Sequence, residues 1–290
     1  MPLATVLVPL DGSQLAEAAL EYLPTLQAMG ELRVTLIGVS ASDEANRVNP
    51  ATYLAELAEA TQKKLELEVD WICRRGTPDA QILAEAANPW IVMLLMSSHG
   101  KSGIEPWRLG SVADKVIRGA SCPTLVVSPA AARRKAPDAF RRILVPLDGS
   151  ALAEEALTVA TGFVRKLGSN LSLVAAYVPP AVPPVPWPGS TYADFLESSA
   201  LAAEGYLTGL ELDDVGDEVE RAAVHGHPAE VLLSQIAERS IDLVIMTSHG
   251  RHGFVRWALG SVTDRLIRGP VPVLVIQPGQ GERLVKLLAT

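Results

Sequence analysis

The sequence predicts two tandem, doubly wound α/β domains, each with a five-stranded parallel sheet in a Rossmann-like arrangement. Three observations support this fold class: an internal repeat, continuous apolar runs of strand length, and amphipathic helical segments between those runs. Fully apolar strands that alternate with helices are typical of parallel sheets covered on both faces. Right-handed crossovers then make each copy doubly wound.

The internal repeat organises the whole chain. Three motifs recur with identical sequence: LVPLDGS at 7–13 and 144–150, SHG at 98–100 and 248–250, and LGSV at 109–112 and 259–262. The first pair is offset by 137 residues and the other two by 150, so the second copy has gained about 13 residues between these motifs. Most of them are expected in the proline-rich stretch 178–189, which suits neither a central strand nor a helix interior.

Within each copy, apolar runs alternate with helical periodicity. For the first copy the expected strands are 6–10, 34–39, 69–74, 91–96 and 124–127. The helices between them are expected at 53–67, 78–87 and 111–118, after a first helix that follows strand 6–10. This first helix has Leu15, Ala18, Ala19, Tyr22, Leu23 and Leu26 on one face. The second copy repeats this order from Ile143, through a turn at 226–228, to a last strand at 271–276. In such sheets, ligands bind beyond the carboxyl ends of the strands.

The repeat also predicts the domain boundaries. We expect a first domain at 1–129, a linker at 130–137, a second domain at 138–278 and a C-terminal tail at 279–290. The stretch from Pro129 to Pro137 has proline at each end and the basic run Arg-Arg-Lys between them, a composition that predicts an exposed connector. The tail contains several apolar residues, and the sequence leaves open whether it docks on the sheet or on a second chain.

Composition excludes several classes of function. The formal net charge of −8 disfavours wholesale binding to nucleic acid or to anionic membranes. Cys73 and Cys122 lie beside apolar stretches, which favours small buried thiols over a disulfide framework. The N-terminus has no basic, apolar leader, and the longest strongly apolar run, 90–96, is far shorter than the roughly 20 residues that span a bilayer. We therefore expect a cytoplasmic protein.

Two segments follow strands at the edge where a ligand is expected. The first is Pro9 to Ser13, in which Asp11 is expected either to accept hydrogen bonds from a ribose hydroxyl or to cap the following helix. Ser13 is more simply explained as the cap of the next helix. The matching segment of the second copy is 146–150.

The second segment follows strand four. Ser97-Ser98-His99-Gly100 is followed by nine residues and then by Gly110-Ser111 at a helix start, and the second copy repeats this from Thr247 to Ser261. Glycine lets backbone approach an anion closely, and a helix N-terminus offers N–H donors to phosphate. The alternative is structural, with Ser111 as a helix cap and Gly100 as a turn. Because the loop occurs twice, we favour phosphate binding.

These motifs, in this order, resemble the universal stress protein family, here as a tandem of two such domains over about residues 1–278. The resemblance implies an adenine-nucleotide-hydrolase-like fold that binds ATP, alone or with Mg²⁺, across the two loops. It also implies a pseudo-dimer within the chain, in which strand 124–127 pairs with strand 271–276. Further homodimerisation and an unidentified protein partner are expected, and a membrane or nucleic-acid partner is not.

The resemblance assigns roles to individual residues. In the first domain Pro9 and Asp11 would contact the ribose, the backbone of Val39 the adenine, and Gly100, Gly110, Ser111 and Val112 the phosphates, with Ser97 and His99 in the same loop. In the second domain the matches are Pro146, Asp148, Gly250, Gly260, Ser261 and Val262, with Thr247 and His249 in the loop and the adenine near Ala176 or Tyr177. One departure is that Ser97 and Thr247 replace a glycine of the ATP-binding pattern, which either narrows the phosphate site or adds a donor.

Other polar and aromatic residues have simpler explanations. His99 and His249 are expected to shape their loops rather than to catalyse, since neither motif contains a serine nucleophile elbow or a second acid. Lys101 and Arg251 are expected to be solvated. His225 and His227 are expected at the surface, because no further metal ligands accompany them. Trp107 and Trp257 are expected to brace the phosphate loops.

Three functions remain open from the sequence. The favoured one is a non-enzymatic stress regulator that binds ATP and whose ordered loops are recognised by a partner. A slow ATPase is the second, although no GxxxxGK[ST] motif is present. The third is an interaction module in which Ser97 and Thr247 have abolished nucleotide binding.

Overall fold

Each copy of the repeat forms five parallel strands, and the two copies join into one sheet. The computed structural model describes residues 4–40, 50–100, 109–178, 192–212, 215, 219–248 and 259–289. In the first half the elements are β1 Ala4–Leu10, α1 Gln14–Glu17, a 3-10 turn Ala18–Tyr22, α2 Leu23–Gln27, β2 Leu32–Ser40, α3 Pro50–Leu65, β3 Glu68–Arg75, α4 Pro78–Ala86, β4 Ile91–Ser97, α5 Ser111–Gly119 and β5 Thr124–Val127.

The second half repeats this order after a short helix. Its elements are α6 Pro129–Ala132, β6 Arg142–Leu147, α7 Ala151–Leu167, β7 Asn170–Tyr177, α8 Tyr192–Thr208, β8 Val219–His225, α9 Pro228–Glu238, β9 Leu243–Thr247, α10 Ser261–Leu266, β10 Val273–Ile276 and α11 Glu282–Leu288. The predicted α/β fold class, with two tandem doubly wound halves, is confirmed.

The ten strands have the order β3-β2-β1-β4-β5-β10-β9-β6-β7-β8. Within each half neighbouring strands are parallel, whereas β5 and β10 pair antiparallel through Val273–Val126, Leu274–Leu125 and Val275–Thr124. The expected pairing of the fifth strands is therefore confirmed, although β10 begins at Val273, after Pro272, rather than at Val271. All seven residues of β4 are buried, as a central strand covered on both faces requires.

The first helix of the first half differs from the prediction. We expected one amphipathic helix across Leu15–Leu26, but the segment divides into α1, a 3-10 turn and α2. Pro24 lacks an N–H group and its ring opposes a continuous helix. The repeat places Thr161 at the matching position of the second half, where α7 is continuous over 17 residues.

The connector between the halves is more ordered than its composition predicts. Its basic residues, Arg133 to Lys135, are exposed as expected. Ala131, however, is fully buried in α6, which begins where Ser128 Oγ accepts hydrogen bonds from Ala130 N and Ala131 N. The expectation of an exposed linker is wrong for this part. Its burial follows from contact with Tyr22, whose hydroxyl donates to the Ala131 carbonyl at 3.3 Å.

The C-terminal helix α11 docks on its own chain. Leu284 and Leu288 are buried. A Cβ on Gly162 of α7 would approach Leu288 Cδ1 to 2.9 Å, so glycine there lets the tail lie close to α7. Arg283 Nη1 donates to the carbonyls of Asn88 and Ile91 at 3.1 Å each, and therefore ties the tail to the first half as well.

Candidate functional site

A cavity of about 210 Å³ opens at the carboxyl edge of the first half, between the ends of β1, β2 and β4 and the start of α5. Its lining includes all nine site residues predicted for this half: Pro9, Asp11, Val39, Ser97, His99, Gly100, Gly110, Ser111 and Val112. The prediction combined segments about ninety residues apart in sequence. They meet because β1 pairs with both β2 and β4, which brings three strand ends to one edge.

Asp11 and Ser13 form a compact turn after β1. Asp11 Oδ1 accepts from Ser13 N at 3.0 Å and from Ser13 Oγ at 2.6 Å. Ser13 Oγ in turn accepts from Ala16 N at 3.1 Å, so the expected cap of the first helix is present. This arrangement fixes the Asp11 carboxylate at the cavity wall.

Gly100 lies directly against Asp11. A Cβ at position 100 would overlap the carboxylate, so this loop residue must be glycine while Asp11 keeps its position. The contact joins the segment after β1 to the segment after β4, and both line the cavity.

His99 is almost fully buried, with an exposed fraction of 4%. Its Nδ1 lies 2.8 Å from Ser98 Oγ, and its backbone N donates to Ser97 Oγ at 3.3 Å. Ser97 thus supplies a side-chain acceptor where the ATP-binding pattern has glycine. In the part of the chain that the structure describes, the buried Nε2 of His99 has no hydrogen-bond partner. Such an atom is unusual in a folded protein.

Helix α5 begins at the cavity. Gly110 is its N-cap, without a side-chain cap, and Gly110 N donates to Ser98 O at 3.0 Å. Ser111 is therefore the first helical residue rather than the cap, and its side chain is exposed. The first N–H groups of this nine-residue helix point toward the cavity edge and favour a negative charge there.

The second half has a cavity of about 680 Å³ at the matching place. The predicted residues that line it are Pro146, Asp148, Tyr177, Thr247, Gly260, Ser261 and Val262. The turn after β6 repeats the first half, with Asp148 Oδ1 accepting from Ser150 N at 3.0 Å and from Ser150 Oγ at 2.6 Å. His249 and Gly250 lie outside the described residues, as do Lys101, Arg251, Trp107, Trp257 and the proline-rich segment 179–191.

Strand register identifies the counterpart of Val39. Gly38 pairs with Leu10 on β1 and Ala175 pairs with Leu147 on β6, so Val39 corresponds to Ala176. Tyr177, the other position expected near the adenine, is one residue further along. Both Ala176 and Tyr177 line the cavity. The Tyr177 ring also lies 5.7 Å from that of the exposed His225, which stands at the surface as expected.

The larger cavity has a wall that sequence analysis missed. Ser199, Ala202, Ala203 and Tyr206 of α8 line it. Tyr206 Oη donates to Glu154 Oε1 at 2.9 Å, and burial, this hydrogen bond and the charges of Glu154 and Asp148 raise the pKa of the phenol. Tyr53 Oη donates to Glu17 Oε1 at 2.7 Å, and its pKa is raised by the same kinds of cause, with Asp11 in place of Asp148. The repeated dipeptide Tyr-Leu at 53–54 and 206–207 was the signal that could have identified Tyr206.

Among the described residues, no group of three or more His, Cys, Asp or Glu side chains is arranged to hold a metal ion. None of the described helices has both the length and the apolar character needed to cross a bilayer.

Comparisons with known proteins agree with this geometry. The family model described as the universal stress protein family matches residues 3–128 and 139–277. A universal stress protein of Mycobacterium tuberculosis is 28% identical over 291 residues, covering 93% of this chain and 96% of its own length. One of Mycolicibacterium smegmatis is 29% identical over 187 residues, covering 64% of this chain and 62% of its own.

Solved structures share the fold over the full length. The crystal structure of a universal stress protein from Archaeoglobus fulgidus superimposes with a TM-score of 0.65 at 23% identity, covering 96% of this chain and all of that one. A putative universal stress protein from Pseudomonas aeruginosa gives 0.65 at 15% identity, covering 100% and 99%. The family model spans both repeats and most of the chain. The chain therefore belongs to the universal stress protein family, as a tandem of two such domains.

Proposed function

We propose that this protein is a stress-response regulator that binds ATP at the carboxyl edge of each half and acts in the cytoplasm. The observation that supports the proposal is the convergence of the predicted residues. All nine from the first half line one cavity, and the seven described ones from the second half line the other. Convergence of residues from two separate loops on one cavity, in both halves, supports a shared role in holding a ligand.

The residues present fit an adenine nucleotide. The N-terminus of α5, with Gly110 at its start, suits a phosphate group. His99 lines the cavity, and its buried Nε2 lacks a partner among the described residues, so a ligand oxygen that reached it would satisfy an unpaired polar atom. The carboxylates of Asp11 and Asp148 suit ribose hydroxyls, and the apolar ends of β2 and β7 suit the base. When ATP binds or leaves, it would change the surface that a partner recognises.

We propose regulation rather than catalysis. Asp11 Oδ1 is engaged by Ser13, and the Nδ1 of His99 is engaged by Ser98 Oγ, so both groups hold local structure. Among the described residues, no three or more His, Cys, Asp or Glu side chains are grouped to hold a metal ion, so any Mg²⁺ would have to be held in large part by the ATP phosphates. We therefore propose no general base that activates a water molecule for attack on ATP, and we expect any hydrolysis to be slow.

The experiment has two stages. Freshly purified protein is denatured, and any released nucleotide is identified by chromatography. ATP is then titrated into nucleotide-free protein by calorimetry, with GTP as the matched control for the base and AMP for the phosphates. Saturable ATP binding with little ADP produced is expected. Steady ADP release would show an ATPase instead, and absence of binding at millimolar ATP would favour an interaction module.

A further inference from the structure

The two halves differ most where α3 and α8 approach their sites. In α3 the Tyr53-Leu54 pair follows only residues 50–52 of the helix. In α8 the matching Tyr206-Leu207 pair follows residues 192–205, which at 1.5 Å per residue is about 21 Å of helix. Leu54 and Leu207 are both buried, so the two pairs occupy comparable positions on the sheet. Helix α8 therefore extends well beyond the point where α3 begins.

The extended part of α8, residues 192–205, contributes no fully buried side chain, although Ala203 packs against the core while partly buried. Leu207 is the buried residue of this helix, whereas α3 buries Leu54, Ala58 and Thr61. The side chains of Ser199, Ala203 and Tyr206 recur at helical spacing and line the cavity. This face of α8 thus borders open space where a ligand would lie.

Cavity size follows from this difference. The space in the second half is about 680 Å³, within the roughly 300–1,000 Å³ typical of ligand pockets. The space in the first half is about 210 Å³, below that range. The described part of the first cavity's lining includes no residue from α3, whereas four residues of α8 line the second cavity.

We propose that the two nucleotide sites are unequal, and that the second half is the tight site because α8 covers the bound base and sugar. The first half then binds the same nucleotide more weakly, by about tenfold or more. This inference rests on the proposed function, and it identifies Ala203 and Tyr206 as residues that contact the nucleoside part of the ligand.

A matched pair of glycines tests the assignment. Gly110 and Gly260 are the N-caps of α5 and α10, and a Cβ at either position would lie 3.1 Å from the carbonyl oxygen of Ser98 or Ser248. Gly110→Val and Gly260→Val therefore impose the same local crowding. Each is expected to displace the start of one helix, α5 or α10, where the proposed function places the phosphates. Calorimetric titration of ATP is expected to lose its tight site in Gly260→Val and to keep it in Gly110→Val.

A second pair tests the role of α8. Ala203→Trp fills the cavity, whereas Leu201→Trp adds the same side chain at a position on this helix that is 62% exposed. Ala203→Trp is expected to weaken the tight site at least tenfold and Leu201→Trp to leave it unchanged. If Ala203→Trp does not fold, as judged by circular dichroism, Ser199→Trp at the half-buried position one turn earlier takes its place.

The outcomes separate this inference from the proposed function. Two equal sites per chain, each removed by its own glycine variant, would overturn the inequality and leave ATP binding intact. Loss of the tight site in Gly110→Val, or unchanged binding in the cavity-filling variant, would also overturn it. No binding of ATP to the unmodified protein at millimolar concentration would instead refute the proposed function.

Discussion

Gln277 and Ile117 link the end of one half to the site helix of the other. The Nε2 of Gln277, directly after β10, donates to the Ile117 carbonyl near the C-terminus of α5 at 2.7 Å. Gln277 Oε1 accepts from Ser248 Oγ, also at 2.7 Å. Ser248 immediately precedes the loop of the second site, and α5 begins at the first. One side chain thus lies between structures that belong to both sites.

This relationship predicts a graded loss of stability. Gln277→Ala removes both of these neutral hydrogen bonds and should lower the free energy of unfolding by about 1–3 kcal/mol. Gln277→Glu should cost more, because it cannot donate to Ile117 and places a negative charge at the negative end of the α5 dipole. Urea unfolding measures both. A Gln277→Glu variant as stable as the unmodified protein would contradict the role assigned here.

The docked tail should contribute directly to stability. Leu284 is fully buried, so Leu284→Ala should lower the free energy of unfolding by about 2–4 kcal/mol. Leu201→Ala is the control, because Leu201 is exposed and should change stability by less than about 0.5 kcal/mol. Equal effects in thermal or urea unfolding would mean that α11 is undocked in solution.

Variants of the matched residues Tyr53 and Tyr206 should distinguish an effect on ATP binding from an effect on protein stability. Tyr53→Phe and Tyr206→Phe each remove a hydrogen bond to a glutamate, so we expect comparable small losses of stability. Only Tyr206 lines a cavity. ATP affinity measured by calorimetry should therefore fall in Tyr206→Phe and stay unchanged in Tyr53→Phe. Equal losses of affinity in both variants would argue against a wall formed by α8.

The same two phenols predict a pH dependence at the alkaline end. Their pKa values in the folded protein are raised above the ordinary value of about 10. Their contribution to stability is fully present below pH 10 and is lost as the pH rises through the higher folded values. The double variant Tyr53→Phe/Tyr206→Phe should lose less stability between pH 10 and 12, measured by urea unfolding. Tyr192→Phe, at an exposed position, should follow the unmodified protein.

Cys122 should be unreactive in the folded state. Burial raises the pKa of its thiol to about 12, so very little thiolate exists near pH 8. In the variant Cys73→Ser, alkylation by iodoacetamide at pH 8 should therefore be slow until urea unfolds the chain. The variant Cys122→Ser, which keeps the half-buried Cys73, is the comparison. Rapid labelling of native Cys73→Ser would show that the Cys122 region opens readily.

The fold and the meeting of distant site segments could be predicted because both follow from local patterns. Asp11 and Gly100 each follow an apolar strand, and neighbouring parallel strands end at one edge. Other features could not be predicted, because they depend on contacts between helices and strands that are distant in sequence. The register of β7 decides between Ala176 and Tyr177, and the part of α8 before Tyr206 brings Ser199 and Ala203 to the cavity. The burial of Ala131 needed Tyr22 from the first half.

The sequence also left open what the tail contacts, because its apolar face fits any apolar surface. The deciding residue is Gly162, whose lack of a side chain leaves room for Leu288 against α7. A glycine in the middle of a helix does not by itself indicate what packs against it. It lowers helix stability, and many different contacts can compensate for that loss. The role of Gly162 is clear only when the opposing helix, α11, is considered with it.

The antiparallel junction between β5 and β10 has a consequence for how partners assemble. All strands of the first half run opposite to those of the second, so their two carboxyl edges face away from each other. A protein that recognises the loops at one edge would approach from the side opposite to the loops at the other. A chain with both edges engaged would hold its two partners on opposite sides, in the manner of a spacer between them. A second copy that used its sheet edge would have to approach β3 or β8, because the fifth strands are already paired within the chain.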